Sequence, residues 1–270
     1  MYSLSVSIVL HNTKPKLIES VLTTLKNEKV QHIYLIDNSP SDNLKRYSQT
    51  DSRIIYRHIP NKGFGNAHNI AIRESILQKN DYHLILNPDV RWNGEILQTL
   101  ISEMNMHENC ALIQPRICYS DGTLQHTCRL LPTPFDVFAR RFVPSFMVKS
   151  RIDRYLLAEE CYNKEFNAVY MQGSFMLFRT DALAEIGMFD ERFFMYPEDI
   201  DITRRIRKNY MALYFPGISI IHDHAAASQK IGRMMWIHIC NMVKYFNKWG
   251  WFFDKERRCL NRRLLSELKM

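Results

Sequence analysis

Six cysteines, at 110, 118, 128, 161, 240 and 259, are scattered through the 270 residues with no CxxC pair and no tight His/Cys spacing. Structural zinc clusters draw their ligands from such close spacings, so none is expected here. No stretch reaches the ~18 consecutive apolar residues that a membrane-spanning helix needs. The apolar run after Met1 is short and no basic segment precedes it, so no secretory signal is read there. These absences together point to a cytoplasmic protein whose cysteines are reduced packing residues. Two phosphate-binding signatures are missing as well. The stretch NKGFGNAHN, residues 61–69, lacks the GxxxxGK[ST] pattern, and it fails GxGxxG because His68 stands at the third glycine position. Gly63 and Gly65, opening a helix, would still let the backbone approach a diphosphate at the positive helix end; plain turn chemistry is the competing reading.

What is present is ordinary for a globular protein: 46% hydrophobic and 24% charged residues. That is enough for one large domain, or one domain with an appendage. The charge is uneven. Residues 230–270 hold ten Lys/Arg against three acids, which accounts for nearly all of the net +8. The segment 231–249 is amphipathic, and WGWFFDKERRCLNRRLLSELK after it interleaves aromatic, basic and apolar residues. Such a pattern suits the headgroup zone of an anionic membrane. It suits equally a solvated helix packed on the core or on a second subunit, which leaves a homodimer open. With the basic residues gathered in one terminal segment and no recognisable RNA- or DNA-binding module, nucleic acid is not an expected partner.

In chain order, Leu4 to Leu10 reads as a buried strand ending at His11-Asn12, and a helix-period segment follows from Pro15 to Leu25. Strands then end at Asp37-Asn38 and at Asn87-Pro88-Asp89, with a short strand over 54–57 and a helix to about Gln78 between them. This βαβαβ pattern implies an α/β fold, with a mostly parallel central sheet flanked by helices and a helical basic extension at the C-terminal end. Ligands of such sheets bind at the carboxyl ends of the strands, where His11, Asn12, Asp37, Asn38, Asn87 and Asp89 all fall. Residues 110–166 are looser: a hairpin signal at Ser120-Asp121-Gly122-Thr123 precedes an irregular insertion. Met211 to Phe215 and Ile218 to Ile221 read as two strands joined at Pro216-Gly217, ending in His222.

Residues 171–206 concentrate the chemistry. A small-residue turn, Gly173-Ser174, and the apolar run 175–178 lead to Phe189, Phe193, Phe194 and Tyr196, and then Pro197 delivers Glu198-Asp199. Proline disfavours helix before it and suits the first turn after it, so a helix is expected to start near Glu198. Ile202 and Ile206 form its buried stripe, and Asp201 pairs with Arg205 at i, i+4. A carboxylate half-buried against aromatic rings can have its pKa raised far enough to take a proton from a hydroxyl. The competing reading is that acids in a first helical turn merely complement the helix dipole, worth roughly 0.3–1 kcal/mol.

The series His11-Asn12, Asp37-Asn38, NKGFGNAHN, NPD, GSFMLFR, GMFDERFFMYPEDIDITRRI and a late His closely resembles bacterial family 2 glycosyltransferases, from residue 4 to about 228. It is most similar to the rhamnosyltransferases that build O-antigen and related cell-surface polysaccharides. The resemblance implies a GT-A fold over 1–228, with a nucleotide-sugar-binding half (1–110), an acceptor half (111–228) and the basic tail (229–270) outside it. It places His11, Asn12, Asp37, Asn38, Asn61, Gly63, Gly65 and Asn87 on the donor, and Gly173, Ser174, Phe194, Tyr196 and Glu198 on the acceptor side. Asp199 matches the catalytic base. Asp89 matches the last carboxylate of the metal-binding DxD motif, and His222 a late histidine near the metal or diphosphate. Asn87 departs from DxD and leaves one carboxylate where the motif has two. The implied cofactor is a divalent cation, Mg2+ or Mn2+. The implied partners are a nucleotide-sugar donor such as dTDP-rhamnose and a lipid-linked saccharide acceptor at the inner face of the cell membrane. A UDP- or GDP-sugar donor, or an inactive nucleotide-sugar-binding scaffold, are the alternatives.

Overall fold

The computed structural model describes residues 2–137, 145–223 and 232–269. The N-terminal third alternates as the hydrophobic periods require: β1 (Leu4–Leu10), α1 (Pro15–Leu25), β2 (His32–Asp37), β3 (Ile54–His58), α2 (Phe64–Leu77) and β4 (Tyr82–Leu86). Then come β5 (Val90–Arg91), α3 (Leu97–Met106), β6 (Cys110–Cys118), α4 (Ser145–Leu156), β7 (Phe166–Asn167) and β8 (Phe175–Arg179). The C-terminal part comprises α5 (Thr180–Ile186), α6 (Glu198–Asn209), β9 (Met211–His222), α7 (Arg233–Trp249) and α8 (Lys255–Leu268).

All the strands join one sheet in the order β3-β2-β1-β4-β8-β6-β9-β5, with β7 also on β9. The first four run parallel, so the ends of β1, β2 and β4 share one edge, as their polar residues led us to expect. Beyond β4 the sheet is mixed. β8 runs antiparallel to both β4 and β6, and its register sets Phe175 opposite Leu86. Gly173 and Ser174, just before β8, therefore meet Asn87, just after β4. At the far side β5 runs antiparallel to β9 and pairs Val90 with His222, which brings the end of β9 beside Asp89. These two antiparallel crossings assemble the site.

The sequence splits β9 into two strands at Pro216-Gly217. The structure keeps one strand, with a register shift against β6 between Pro115 and Arg116. Proline cannot donate to a ladder and is tolerated in a strand at such an irregularity, so Pro216 marks a bulge and not a joint. The hairpin at 119–123 forms as expected, closed by Tyr119 N–H to the Thr123 carbonyl at 2.8 Å.

The boundary drawn at residues 228/229 and part of the irregular insertion, 138–144, lie outside the described residues. Of the basic tail, α7 and α8 are packed on the acceptor half. Met242, Tyr245, Phe246, Leu260 and Leu264 share a core with Phe193, Ile202 and Ile206 of the 171–206 segment. The buried Arg204 guanidinium on α6 is forked onto both Asp254 oxygens at 2.7 Å and also reaches Glu256. Its cationic carbon lies 4.1 Å from the Trp249 ring centroid. Among the described residues no helix is long and apolar enough to cross a membrane.

Candidate active site

The residues read in the sequence as donor contacts form a polar network at the ends of the parallel strands. Asp37, fully buried, accepts the Ser39 N–H on Oδ1 at 2.9 Å and the Tyr56 hydroxyl on Oδ2 at 2.6 Å. Asn38 donates from Nδ2 to Asn61 Oδ1 (3.3 Å), and the same oxygen accepts the Gly63 N–H at 3.2 Å. His11 Nδ1 lies 3.1 Å from the Asn38 carbonyl, and Asn12, held at φ 50°, donates its N–H to Ser39 Oγ at 2.8 Å. His11, Asn12, Asp37, Asn38, Asn61 and Gly63 thus form one cluster at the ends of β1 and β2. Asn38 Oδ1 is buried and accepts nothing among the described residues. A buried acceptor left in this way carries a desolvation cost of about 1–3 kcal/mol, which a ligand donor would relieve.

The two glycines also meet a close approach that the sequence did not announce. A Cβ on Gly63, which sits at φ +109°, would lie 2.4 Å from the Phe194 carbonyl oxygen, and one on Gly65 would lie 2.8 Å from Phe189 Cβ. The Phe64 N–H donates to that Phe194 carbonyl at 2.9 Å. The close approach is that of the aromatic segment 189–198, so these glycines dock the donor loop against the acceptor wall.

That wall continues into α6. Pro197 is its N-cap residue and its carbonyl accepts the Asp201 N–H at 2.9 Å, so the helix begins at Glu198 as expected. Tyr196 sits at φ 91°, a region costly for a side chain of its size, with its ring edge-on to His238 on α7. Asn241 on α7 clamps the same stretch, donating to the Met195 carbonyl at 3.1 Å and accepting the Phe194 N–H at 3.4 Å.

Glu198 and Asp199 are both buried, at 4% and 6% exposed. Burial raises both pKa values, and the charge of Asp199 raises that of Glu198 further. The pair differs in its surroundings. Asp199 Oδ2 accepts the Gly173 N–H at 3.0 Å and Oδ1 accepts the Ile200 N–H at 2.7 Å, and the nearby Arg129 guanidinium also pulls its pKa down. Glu198 Oε2 accepts nothing among the described residues. A shared negative charge therefore resides on Asp199, with the proton on Glu198. The other carboxylates of the segment are structural. Asp201 meets Arg205, Lys248 and the Trp249 indole, and Asp190 meets Arg192 and Lys248.

The ligand edge of the parallel strands and Asp199 are coupled through Gly173-Ser174. The Asn87 N–H donates to the Ser174 carbonyl at 2.9 Å, while the next peptide back holds Asp199. Gln114 fixes this turn by donating to the Gln172 and Phe175 carbonyls. On the other flank His222 Nε2 lies 3.3 Å from Asp89 Oδ1, and the Asp223 N–H donates to the Asp89 carbonyl at 3.0 Å. Gln125 sets the imidazole: its Nε2 donates to the His222 carbonyl at 2.6 Å, so its Oε1 accepts from Nδ1 at 2.9 Å. His222 Nε2 and the Asp89 carboxylate thus face each other, an arrangement that fits a cation between the two. Glu103, His107 and Glu165 also bring ligand atoms within 4.8 Å of one another, but at the opposite edge of the sheet, where β6 begins.

Arg129, Gln114, Gln125 and Asn241 were not found from the sequence. Each acts on a residue 45 or more positions away, so no local spacing announces it.

The family model for glycosyl transferase family 2 matches residues 5–187, more than half of the chain. The chain belongs to this family. It is 25% identical over 219 residues to N-acetylglucosaminyl-diphospho-decaprenol L-rhamnosyltransferase of Mycobacterium tuberculosis, a match covering 75% of this chain and 69% of that one. Rhamnosyltransferase WbbL of Escherichia coli is 28% identical over 208 residues, covering 73% and 75%. Among solved structures, GalNAc-T7 with UDP, GalNAc and Mn2+ superposes with a TM-score of 0.66 at 15% identity, over 99% of this chain and 53% of that one. Mannosyltransferase PcManGT from Pyrobaculum calidifontis, with GDP-Man and Mn2+, gives 0.57 at 15%, over 92% and 64%. This family 2 chain therefore has the GT-A fold and spans about half to two thirds of the length of those solved chains.

Proposed function

We propose that this protein is an inverting glycosyltransferase that moves a sugar from a nucleotide-diphosphate donor to a hydroxyl of a lipid-linked saccharide in cell-surface polysaccharide synthesis. L-Rhamnose from dTDP-rhamnose is the first candidate donor. The observation that carries this reading is the two-hydrogen-bond link at Gly173-Ser174, which holds a buried carboxylate, Asp199, against the turn that bears Asp89. Donor contacts fall to His11, Asn12, Asp37, Asn38, Asn61 and Asn87, with Gly63 and Gly65 shaping the loop. Phe194, Tyr196 and Glu198 face the acceptor.

In the reaction the acceptor hydroxyl oxygen attacks the anomeric carbon from the face opposite the nucleotide. The bond from that carbon to the diphosphate oxygen breaks, and its electron pair leaves with the nucleotide. The hydroxyl proton passes to Asp199, and the configuration inverts. The leaving diphosphate needs no protonating acid, so the paired-carboxylate logic of glycosidases does not apply, and Glu198 keeps its proton. A divalent cation, Mg2+ or Mn2+, held by Asp89 and His222, would supply charge neutralisation for that leaving group.

Both relatives named above are rhamnosyltransferases, and the name of the mycobacterial one specifies a lipid-diphosphate-linked acceptor, which supports rhamnose and an acceptor of that class here. Phe252 and Phe253 are 67% and 88% exposed beside Lys255 and Arg258, which suits a peripheral seat on an anionic membrane. Thermal-shift titration with dTDP-, UDP- and GDP-sugars, with and without Mn2+, followed by transfer to a lipid-linked acceptor, tests the reading. A saturating donor at ~100 times its Kd stabilises by about 2.7 kcal/mol. A dTDP-sugar should give the largest shift, enhanced by the metal; no shift with any donor would sink the proposal.

A further inference from the structure

Between the insertion and the last helix lies a cavity of about 600 Å3 that the site described above does not use. Its size falls within the roughly 300–1,000 Å3 of ligand sites. Leu131 and Leu265 give it an apolar floor, and Arg151, Arg154, Arg258 and Arg262 ring it against one carboxylate, Asp136. Arg151 is committed to Asp136 at 2.6 Å, and Arg258 donates to the Phe252 carbonyl at 3.1 Å. The exposed side chains of Arg154, from α4, and Arg262, from α8, make no hydrogen bond or ion pair among the described residues.

Two uncommitted guanidinium forks over a hydrocarbon floor complement a ligand that is doubly charged at one end and apolar at the other. Guanidinium matches phosphate oxygens two at a time, and a bare anion would have no use for the leucines. A short run of contacts leads inward from the cavity: the Leu130 N–H donates to the carbonyl of Tyr155, both of which line it, at 3.1 Å, the Arg129 N–H donates to the Tyr170 carbonyl at 3.3 Å, and Arg129 and Tyr170 both interact electrostatically with Asp199. On the outer side, Arg258 ties the rim to the exposed Phe252-Phe253 pair, where a chain too long for the cavity can continue.

We propose that this cavity binds the diphosphate and first isoprenoid units of a polyprenyl-diphosphate-linked acceptor, placing the attached sugar toward Asp199. It rests on the acceptor class proposed above and adds the place where the lipid diphosphate is held.

The test compares the wild type with Arg154→Ala/Arg262→Ala, whose side chains have no partner to lose among the described residues, after equal thermal midpoints confirm equal folding. Calorimetric titration uses geranyl diphosphate, a soluble prenyl diphosphate, and inorganic pyrophosphate; vesicles containing phosphatidylglycerol are assayed by sedimentation. Geranyl diphosphate should bind the wild type more tightly than pyrophosphate does, and the double variant about tenfold or more weakly. KM for a prenyl-diphosphate-linked acceptor should rise by a similar factor, with kcat and donor KM unchanged. Equal affinity of the variant for geranyl diphosphate would overturn the proposal. So would pyrophosphate binding as tightly as geranyl diphosphate, or vesicles binding where geranyl diphosphate does not. If no sugar is transferred from any donor, the function fails while the geranyl diphosphate result still decides the cavity.

Discussion

The donor edge and the acceptor wall are both built from polar residues where strands give way to loops, yet they are finished differently. On the donor edge the carboxylate is fully answered, Asp37 by Ser39 and Tyr56, and Asn61 is answered by Asn38 and Gly63, while the neutral amide oxygen of Asn38 is left open among the described residues. On the acceptor wall two carboxylates are buried side by side, one oxygen of Glu198 is unanswered, and Tyr196 is held in a costly backbone conformation. A satisfied network fixes positions and changes little when a ligand arrives. An unsatisfied one holds groups in states they would not adopt in water, which is what proton transfer at neutral pH requires. The difference supports the proposed division, with binding at one edge and proton chemistry at the other.

Replacing Asp199 by Asn keeps the shape of the wall and removes the proton acceptor. We expect kcat to fall by roughly 10²- to 10⁴-fold, the usual contribution of a general base, with donor affinity unchanged in a thermal-shift titration. If donor affinity falls instead and kcat holds, the division between the edges is wrong.

The acceptor wall depends on the tail, and Arg204→Ala measures how much. The substitution strands Asp254, 3% exposed, beside a buried Tyr245. Breaking a buried pair from one side costs about 3–5 kcal/mol, to be read from the denaturant midpoint. An unchanged midpoint would mean that apolar packing alone secures α7 and α8. The contact between the two edges is tested by Gly63→Ala. Its methyl would meet the Phe194 carbonyl at 2.4 Å in a backbone conformation that side chains avoid, at an expected cost of about 1–3 kcal/mol.

The two edges also differed in how far they could be read from the sequence. Strands and helices of the parallel half follow hydrophobic period, and polar residues after Leu10, Ile36 and Leu86 mark their ligand edge, because parallel strands must end together. Pro197 and the helix it starts led to the pair Glu198-Asp199, and the family resemblance singled out Asp199. What joins the edges was not legible: the Leu86–Phe175 register, the Val90–His222 pairing and the hold of Gln125 on His222 are long-range consequences of antiparallel crossings. The tail shows the same limit, since periodicity reveals an apolar face but not what covers it. Ile202, Ile206 and the Arg204 pair cover it, some 50 residues away.

The subtlest test asks why the pKa of Asp199 is high. Burial raises it, and the pair shares charge with Glu198, so the two titrate together. Activity should be lost as pH falls through an apparent pKa above the ordinary carboxylate range, where Asp199 takes up a proton. Glu198→Gln keeps the volume, the burial and the neutral state of that side chain, so the acid limb of kcat/KM should stay in place, because burial is what raises Asp199. Stability runs in the opposite sense. Both carboxyls have folded pKa values above their unfolded values of about 4, so their contribution is full below about pH 4 and is lost as pH rises through the raised values. The Gln variant should therefore lose less stability than the wild type between acid and neutral pH, measured as a denaturant midpoint against pH. An acid limb that moves to lower pH would mean that Glu198 carries charge beside Asp199. The unsatisfied carboxyl of Glu198 would then be a means of tuning the base and not only a cost of the fold.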